Sequence, residues 1–163
     1  MKKILFLLLL INSGFAQTVP TSTKVTSKLA SACKIDAGDL NFGVIGNTVG
    51  ESTPTTSNVN ILCTRGTSYS VSVSLGVQGG GVSRVLKGIN KGDTFSYSIC
   101  QEEGWNYQQV NGTRCANKAW YSSVPLTSTG TGLLQTFPMY GYALNGYYTP
   151  DNYTDTANIT ITY

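Results

Sequence analysis

The strict alternation of apolar and polar residues from residue 68 to residue 75 constrains the fold more than any other feature of the chain. Tyr69, Val71, Val73 and Leu75 are apolar, whereas every residue between them is serine. Successive side chains of a β-strand point to opposite faces, so this pattern predicts a strand with one buried face in an antiparallel sheet. No segment of ten or more residues shows the 3.6-residue period of an amphipathic helix.

Three further segments alternate in the same way, and glycine-containing turns lie between them. They cover residues 58–63, 94–99 and 153–163. The four residues 64–67 separate two of the strands and predict a β-hairpin. We expect residues 153–163 to form one continuous strand. Several short strands joined by such turns predict an all-β fold, a β-sandwich of the immunoglobulin-like type.

The first 16 residues have the layout of a secretory signal peptide. Lys2 and Lys3 precede an apolar run over residues 4–11, and Gly14 and Ala16 are the small residues that a signal peptidase recognises. As a helix this run extends about 12 Å, whereas the hydrocarbon core of a bilayer is about 30 Å thick. We therefore predict cleavage after Ala16, export of the mature chain and no membrane insertion.

The charged and catalytic residue types exclude several classes of function. The chain has no histidine, which excludes histidine bases and histidine-ligated metals. Two of its 11 basic residues lie in the signal, so the remainder nearly balance the 8 acidic residues, unlike in nucleic-acid-binding proteins. Glu102 and Glu103 are adjacent and would point apart on a strand. We expect no enzyme activity, no metal site and no cofactor.

Four cysteines in an exported chain predict two disulfides, for which three connectivities are possible. We prefer Cys33–Cys63 and Cys100–Cys115, because the first two cysteines border strand-like segments and the last two close a single loop. No two cysteines have the close spacing of a structural zinc site.

Residues 17–32 form an extended, weakly amphipathic segment before the first cysteine. One face of this segment would carry Thr21, Thr23, Val25, Ser27 and Leu29. Such a segment is either a disordered leader or a free strand that pairs with an open sheet edge. Composition alone leaves both interpretations open.

Four sequence blocks together resemble the spore coat protein U domain family, which includes subunits of archaic, Csu-type chaperone–usher pili. CKIDAGDLNFG at residues 33–43 is similar to the opening strand of the family, and NILCTRGTSYSVSVSLG at 60–76 to its central hairpin. RVL at 84–86 with FSYSI at 95–99, and YTDTANITITY at 153–163, continue the pattern in the same order. The chain departs from the family at Asp151, where a glycine often stands, and in the additional Cys100–Cys115 pair.

The resemblance implies an incomplete, pilin-type sandwich that a donor strand from a neighbouring subunit completes. Residues 33–163 would form this domain and residues 17–32 the donor strand, with Thr21, Thr23, Val25, Ser27 and Leu29 facing inward. The acceptor groove would be lined by residues of the last strand: Ala157, Ile159, Ile161 and Tyr163. The implied partners are a periplasmic pilus chaperone, an outer-membrane usher and neighbouring copies or related pilin subunits.

The resemblance also implies a location and a role, namely passage through the periplasm to a surface pilus that serves adhesion and biofilm formation. The alternative is a self-complemented, monomeric coat protein or a secreted carbohydrate- or surface-binding protein. Exposed tyrosines would favour binding, because aromatic rings stack on sugars. Five of them lie close together: Tyr140, Tyr142, Tyr147, Tyr148 and Tyr153. We expect about half of them to face the core of the sandwich.

Overall fold

The computed structural model describes residues 21–79, 83–110, 113–115 and 118–163. These residues form β-strands and connecting turns, with no helix among them. The strands are β1 (Cys33–Ala37), β2 (Ser52–Cys63), β3 (Ser68–Val73), β4 (Arg84–Gly88), β5 (Thr94–Cys100), β6 (Trp105–Val110), β7 (Thr113–Cys115), β8 (Leu126–Thr129), β9 (Leu134–Leu144), β10 (Tyr153–Thr154) and β11 (Ile159–Thr162). The prediction of an all-β fold is confirmed. No helix within the described ranges is long and apolar enough to cross a membrane.

Two sheets form the sandwich, and every described strand pair is antiparallel. The larger sheet has the order β1-β2-β9-β5-β4-β10 and the smaller has the order β11-β3-β8, while β6 and β7 form a separate ribbon. The core lies between the sheets because the apolar faces of their strands are turned toward each other. Val59 and Ile61 from the large sheet and Val71 and Val73 from the small sheet are fully buried.

The two ends of the sandwich differ in the loops that they carry. The cysteine pole is the end that holds Cys33, the turn at 64–67 and the turn at 130–132, which hydrogen bonds join to one another. The far pole holds the turn at 89–92 and the segment 145–152, joined by the hydrogen bond from Ile89 N–H to the Asn152 carbonyl.

The predicted hairpin between β2 and β3 is wrong. β2 pairs with β1 and β9 in the large sheet, whereas β3 pairs with β11 and β8 in the small one. The turn at 64–67 therefore carries the chain from one sheet to the other. Alternation predicted both strands correctly, but it does not specify the partner of a strand, and both apolar faces reach the same core from opposite sides.

The predicted continuous strand over residues 153–163 is also wrong. β10 pairs with β4 in the large sheet, and β11 pairs with β3 in the small one. Residues 155–158 cross between the sheets without strand pairing. The alternation nevertheless continues through the crossing, since Tyr153, Asp155 and Ala157 are each less exposed than their neighbours.

The structure contains both preferred disulfides. Cys33–Cys63 joins β1 to β2 at the cysteine pole, and Cys100–Cys115 joins β5 to β7. No described cysteine is free. The first disulfide holds the edge strand of the large sheet in place.

A buried arginine connects the two sheets near the centre of the sandwich. Arg84 is 1% exposed and its guanidinium donates hydrogen bonds to the carbonyls of Val73, Ser74 and Trp120, at 3.0, 2.8 and 2.6 Å. Trp120 in turn donates from Nε1 to the Val71 carbonyl at 2.9 Å. These bonds satisfy polar groups at the end of β3 that burial would otherwise leave unpaired. Sequence reasoning did not identify Arg84, because an isolated arginine gives no signal of burial.

Candidate functional site: an open groove beside the last strand

Two edge strands from different sheets face each other along one side of the sandwich. β1 pairs only with β2, and β11 pairs only with β3, among the strands that the structure describes. Each strand therefore leaves one row of backbone N–H and C=O groups without a strand partner. We call the space between them, bounded by β1 with residues 37–42 and by residues 154–161, the open groove.

The floor of the open groove is the hydrophobic core itself. A cavity of about 570 Å³ lies between residues 37–42 and residues 154–159, and it reaches Val73, Ile99 and Met139. A second cavity of about 780 Å³ continues toward the far pole and shares Leu40, Phe42, Leu86 and Asp155 with the first. The groove thus reaches down to the buried core along this side of the molecule.

The four residues predicted to line the groove lie at different distances from its cavities. Ala157 and Ile159 line the first cavity. Ile161 is half-buried against the core from β11. Tyr163 follows the end of β11 and is 58% exposed, beside a shallow depression at the cysteine pole.

Leu40 and Phe42 form the opposite rim, and sequence reasoning did not assign them to the site. Both are half-buried, and Phe42 packs edge-to-face on Tyr97 with ring centroids 6.0 Å apart. They lie in the connection between β1 and β2, which forms no strand. The leucine and phenylalanine, which alternate with polar Asp39 and Asn41, were the available signal.

Asp155 places a hydrogen-bonded carboxylate inside this groove. Its Oδ2 accepts a hydrogen bond from the Tyr97 hydroxyl at 2.7 Å, and its Oδ1 accepts from the backbone N–H groups of Gln78 and Thr156, at 3.0 and 2.8 Å. Burial, followed by this hydrogen bond to Asp155, raises the pKa of Tyr97 well above its usual value. Tyr97 is therefore a stable hydrogen-bond donor to the carboxylate at physiological pH.

A glycine makes room for this carboxylate. Gly76 has a φ of 90°, a left-handed conformation that favours glycine, and a Cβ at this position would overlap the Asp155 carboxylate. Sequence reasoning placed Asp155 on the inward face but did not recognise that Gly76 and Tyr97 form a polar pocket around it.

The N-terminal segment lies outside the groove of its own chain. Residues 21–32 form no strand and are all exposed, with Val25 at 89% and Leu29 at 83%. The Thr64 N–H donates to the Ala32 carbonyl at 2.9 Å, so the segment joins the domain at the cysteine pole. The predicted signal peptide at 1–16 and residues 17–20 lie outside the described residues.

The tyrosines near the last strand divide between the core and the surface. Tyr142 is 7% exposed, whereas Tyr147 is 84% exposed. Tyr148 stacks on Phe95 at a centroid distance of 4.4 Å, and Tyr153 meets the same ring edge-to-face at 4.8 Å. This aromatic cluster lines the groove at its far-pole end.

Asp151 holds the far-pole end of the groove in place. Its carboxylate accepts hydrogen bonds from the backbone N–H groups of Lys91, Asn90 and Asn152, and from the Asn90 side chain, at 2.7 to 2.8 Å. The Lys91 N–H makes the largest contribution to lowering the pKa of Asp151 to about 2. An aspartate at this position therefore connects the start of β10 to the turn after β4.

Comparison with known proteins supports the fold and identifies the sequence family. Residues 19–160 match the model of the Spore Coat Protein U domain. A crystal structure of the CsuC–CsuE chaperone–tip adhesion subunit pre-assembly complex, from the archaic chaperone–usher Csu pili of Acinetobacter baumannii, is similar with a TM-score of 0.57 and 20% sequence identity. The match covers 82% of this chain and 40% of that one. No curated protein matches the sequence.

Proposed function

Since the chain belongs to the spore coat protein U domain family, we propose that it is a structural, non-catalytic subunit of a surface fibre built by a chaperone–usher pathway. In this proposal the N-terminal segment of one subunit occupies the open groove of the next. Such a head-to-tail contact uses two different surfaces and therefore propagates into a fibre.

The observation that carries the proposal is the combination of an open groove with an unpaired strand-like segment in one chain. Core residues such as Val73 and Met139 line the floor of the groove, and β11 leaves one strand edge free beside it. The segment exposes Val25 and Leu29, which have no core of their own to enter. Burying these two side chains would contribute roughly 1.5–3 kcal/mol each, in addition to the hydrogen bonds of the new strand pair.

The direction of the strands favours an exchange between two subunits. The chain runs from Tyr153 at the far pole to Thr162 at the cysteine pole. A donor strand antiparallel to β11 would have its N-terminal end at the cysteine pole of the acceptor subunit and its C-terminal end at the acceptor's far pole. The domain that follows the donor strand would begin there, with its own cysteine pole. Subunits would then stack with the far pole of one against the cysteine pole of the next, and every groove would remain free for one donor.

Insertion into the groove of the same chain needs a different geometry. The segment leaves the domain at Cys33, so it would have to reverse over residues 30–32 and run parallel to β11. Parallel pairing is slightly less stable per residue than antiparallel pairing. A self-complemented monomer is the alternative outcome of the experiments below.

Partly exposed apolar side chains and two free strand edges along the groove also support a chaperone partner. Free edges and accessible apolar surface promote aggregation unless another chain covers them. A periplasmic chaperone would cover the groove until assembly at an outer-membrane usher, as the similar structure of a chaperone–subunit complex suggests. Adhesion and biofilm formation would follow from display of the fibre at the cell surface.

A single gel tests the proposal. Surface material from the producing cells is separated in SDS with and without boiling, and the chain is detected by antibody. We expect a ladder at multiples of the monomer mass that collapses to monomer on heating. A single monomer band in both lanes would instead indicate the self-complemented protein.

The substitution Leu29→Lys tests the identity of the donor strand. It should abolish the ladder, because a lysine would lose the apolar contacts of the leucine and would have to give up the hydration of its charged group on entering the groove. The chaperone-bound subunit should accumulate normally, since Leu29 is exposed in the domain. Thr26→Lys, on the opposite face of the segment, is the matched control and should assemble. Normal assembly of Leu29→Lys would exclude our donor face.

A further inference from the structure

We infer that Asp155 forms a polar subsite in the open groove that selects the hydroxyl of Ser27 from a second copy of this chain, and so sets the register of the donor strand. This inference rests on the proposed function, because it assumes that the groove receives residues 21–29. It adds a specificity determinant, a carboxylate in the groove that recognises one particular donor position.

The carboxylate of Asp155 is held in place with capacity for another hydrogen bond. Two backbone N–H groups bind Oδ1, and the Tyr97 hydroxyl binds Oδ2. An ionised carboxylate accepts about four hydrogen bonds, so one position on Oδ2 remains unused among the described residues. Asp155 lines both cavities, so an occupant of the groove can approach its carboxylate.

The donor is matched against the alternating residues along one side of the groove. β11 supplies a strand edge from Ile159, and the alternation of burial continues through residues 155–158 as far as Tyr153. A donor that runs antiparallel along this side, with Thr21 opposite Ile161, comes to lie with Leu29 beside Tyr153. The intermediate pairs are then Thr23 with Ile159, Val25 with Ala157, and Ser27 with Asp155.

This register fits the chemistry of both strands. Ser27 meets the carboxylate, and the bulkier Val25 lies opposite the small Ala157. Leu29 reaches the wide far-pole end of the groove, which Phe95 and the aromatic residues around it line.

Neighbouring registers are chemically unfavourable. The side-chain period of a strand is two, so the donor can shift only in steps of two residues without turning its apolar face outward. One such shift puts Leu29 over the Asp155 carboxylate, and the opposite shift puts Val25 there. Either shift covers a carboxylate oxygen with an apolar side chain and prevents it from binding water, which costs free energy.

Parallel insertion would use a different hydroxyl. If Thr21 lay opposite Tyr153, Thr23 would meet Asp155, and Ser27 would meet Ile159. Antiparallel insertion therefore makes the polymer depend on the hydroxyl of Ser27, and parallel insertion makes it depend on that of Thr23. Both side chains are exposed in the unassembled subunit, so their substitution leaves the folded domain unchanged.

The experiment compares full-length polymers that carry Ser27→Ala, Thr23→Val or Ser27→Thr. The rate at which SDS-resistant polymer dissociates is measured at one fixed temperature. Ser27→Ala removes one hydrogen bond to a charged acceptor, so its polymer should dissociate about tenfold faster than the wild type. Thr23→Val should dissociate at the wild-type rate or more slowly, and Ser27→Thr should retain the wild-type rate because it keeps the hydroxyl.

A double substitution connects the effect to Asp155. In polymer that already carries Asp155→Ala, the further change Ser27→Ala should alter the dissociation rate less than twofold, because the acceptor is gone. Equal rates for wild type and Ser27→Ala would overturn the inference, as would an effect confined to Thr23→Val. Absence of SDS-resistant polymer from the wild-type chain would instead refute the proposed function.

Discussion

An inner strand of the large sheet and the edge strand at the open groove are built from the same residue types but reach different degrees of burial. In the inner strand, β2 pairs with β9 from Ser52 to Leu62, and Ile61 is fully buried. On the open side, Ile159 and Ile161 of β11 are only partly buried. The difference lies in the neighbouring strands, since β2 has a partner on both sides and β11 has a described partner on one.

This contrast shows that burial depends on the presence of the next strand, and not only on the apolar character of a side chain. The open side has the alternation of a core strand, yet its core contacts are incomplete within one chain. An added strand would provide the missing contacts and the missing backbone partners at once. Substitutions in β2 and in β11 should therefore have different effects.

The largest effect is expected from truncating one isoleucine in β2 and one in β11. Ile61→Ala should lower the free energy of unfolding of the mature chain by about 2–5 kcal/mol, because it leaves a cavity in a closed core. Ile161→Ala should lower the free energy of unfolding by clearly less in the same urea titration, since solvent already reaches this residue. In the polymer, Ile161→Ala should accelerate dissociation, whereas in the monomer its effect stays small. Equal losses for both monomers would contradict the contrast.

The sequence predicted the strands better than it predicted their arrangement. Alternation depends only on the two faces of a strand, so the segments around Val59, Val71 and Tyr97 were identified correctly. Pairing depends on contacts between distant segments, and no local pattern distinguishes a hairpin from a crossing between sheets. The turn at 64–67 and the crossing at 155–158 were both misassigned for this reason.

The candidate site was predictable where the family pattern covers it and not where it depends on packing. Ala157, Ile159 and Ile161 follow from the last block of the sequence, and the structure places them beside the groove. Leu40 and Phe42 reach the opposite rim through the connection between β1 and β2, which forms no strand. The polar pocket of Asp155 depends on Gly76 and Tyr97, which come together only in the folded sandwich.

The next effect concerns the disulfide on the open side. Cys33–Cys63 anchors the first residue of β1, and β1 is the rim of the groove with a described partner on one side only. Replacing both cysteines by serine should lower the free energy of unfolding by about 3–4 kcal/mol on the chain-entropy model, for a sequence separation of 30. The polymer should also dissociate faster, because the rim is less firmly held.

Replacing Cys100 and Cys115 by serine provides the matched control for this pair. Its sequence separation is 15, so the loss of stability should be about 3 kcal/mol, similar but somewhat smaller. Neither cysteine lies among the residues that line the open groove. The dissociation rate of the polymer should therefore remain near that of the wild type, and an equal acceleration in both variants would show that the first disulfide has no special role at the rim.

The smallest effect is a pH dependence at the far-pole end of the groove, where hydrogen bonds and not core burial hold the rim. The pKa of Asp151 is about 2 in the folded chain, below the ordinary value of 3.8. Because the pKa is depressed, the ionised carboxylate stabilises the folded chain. This stabilisation is fully present above about pH 4 and is lost as the pH falls toward 2. Asp151→Asn should therefore flatten the decrease in thermal stability between pH 4 and pH 2. The change Glu102→Gln, at an exposed carboxylate, reports the general effect of removing one negative charge. If both variants follow the same curve, the hydrogen bonds from Lys91 and Asn90 do not stabilise this rim, and the open side is held by β1 and its disulfide alone.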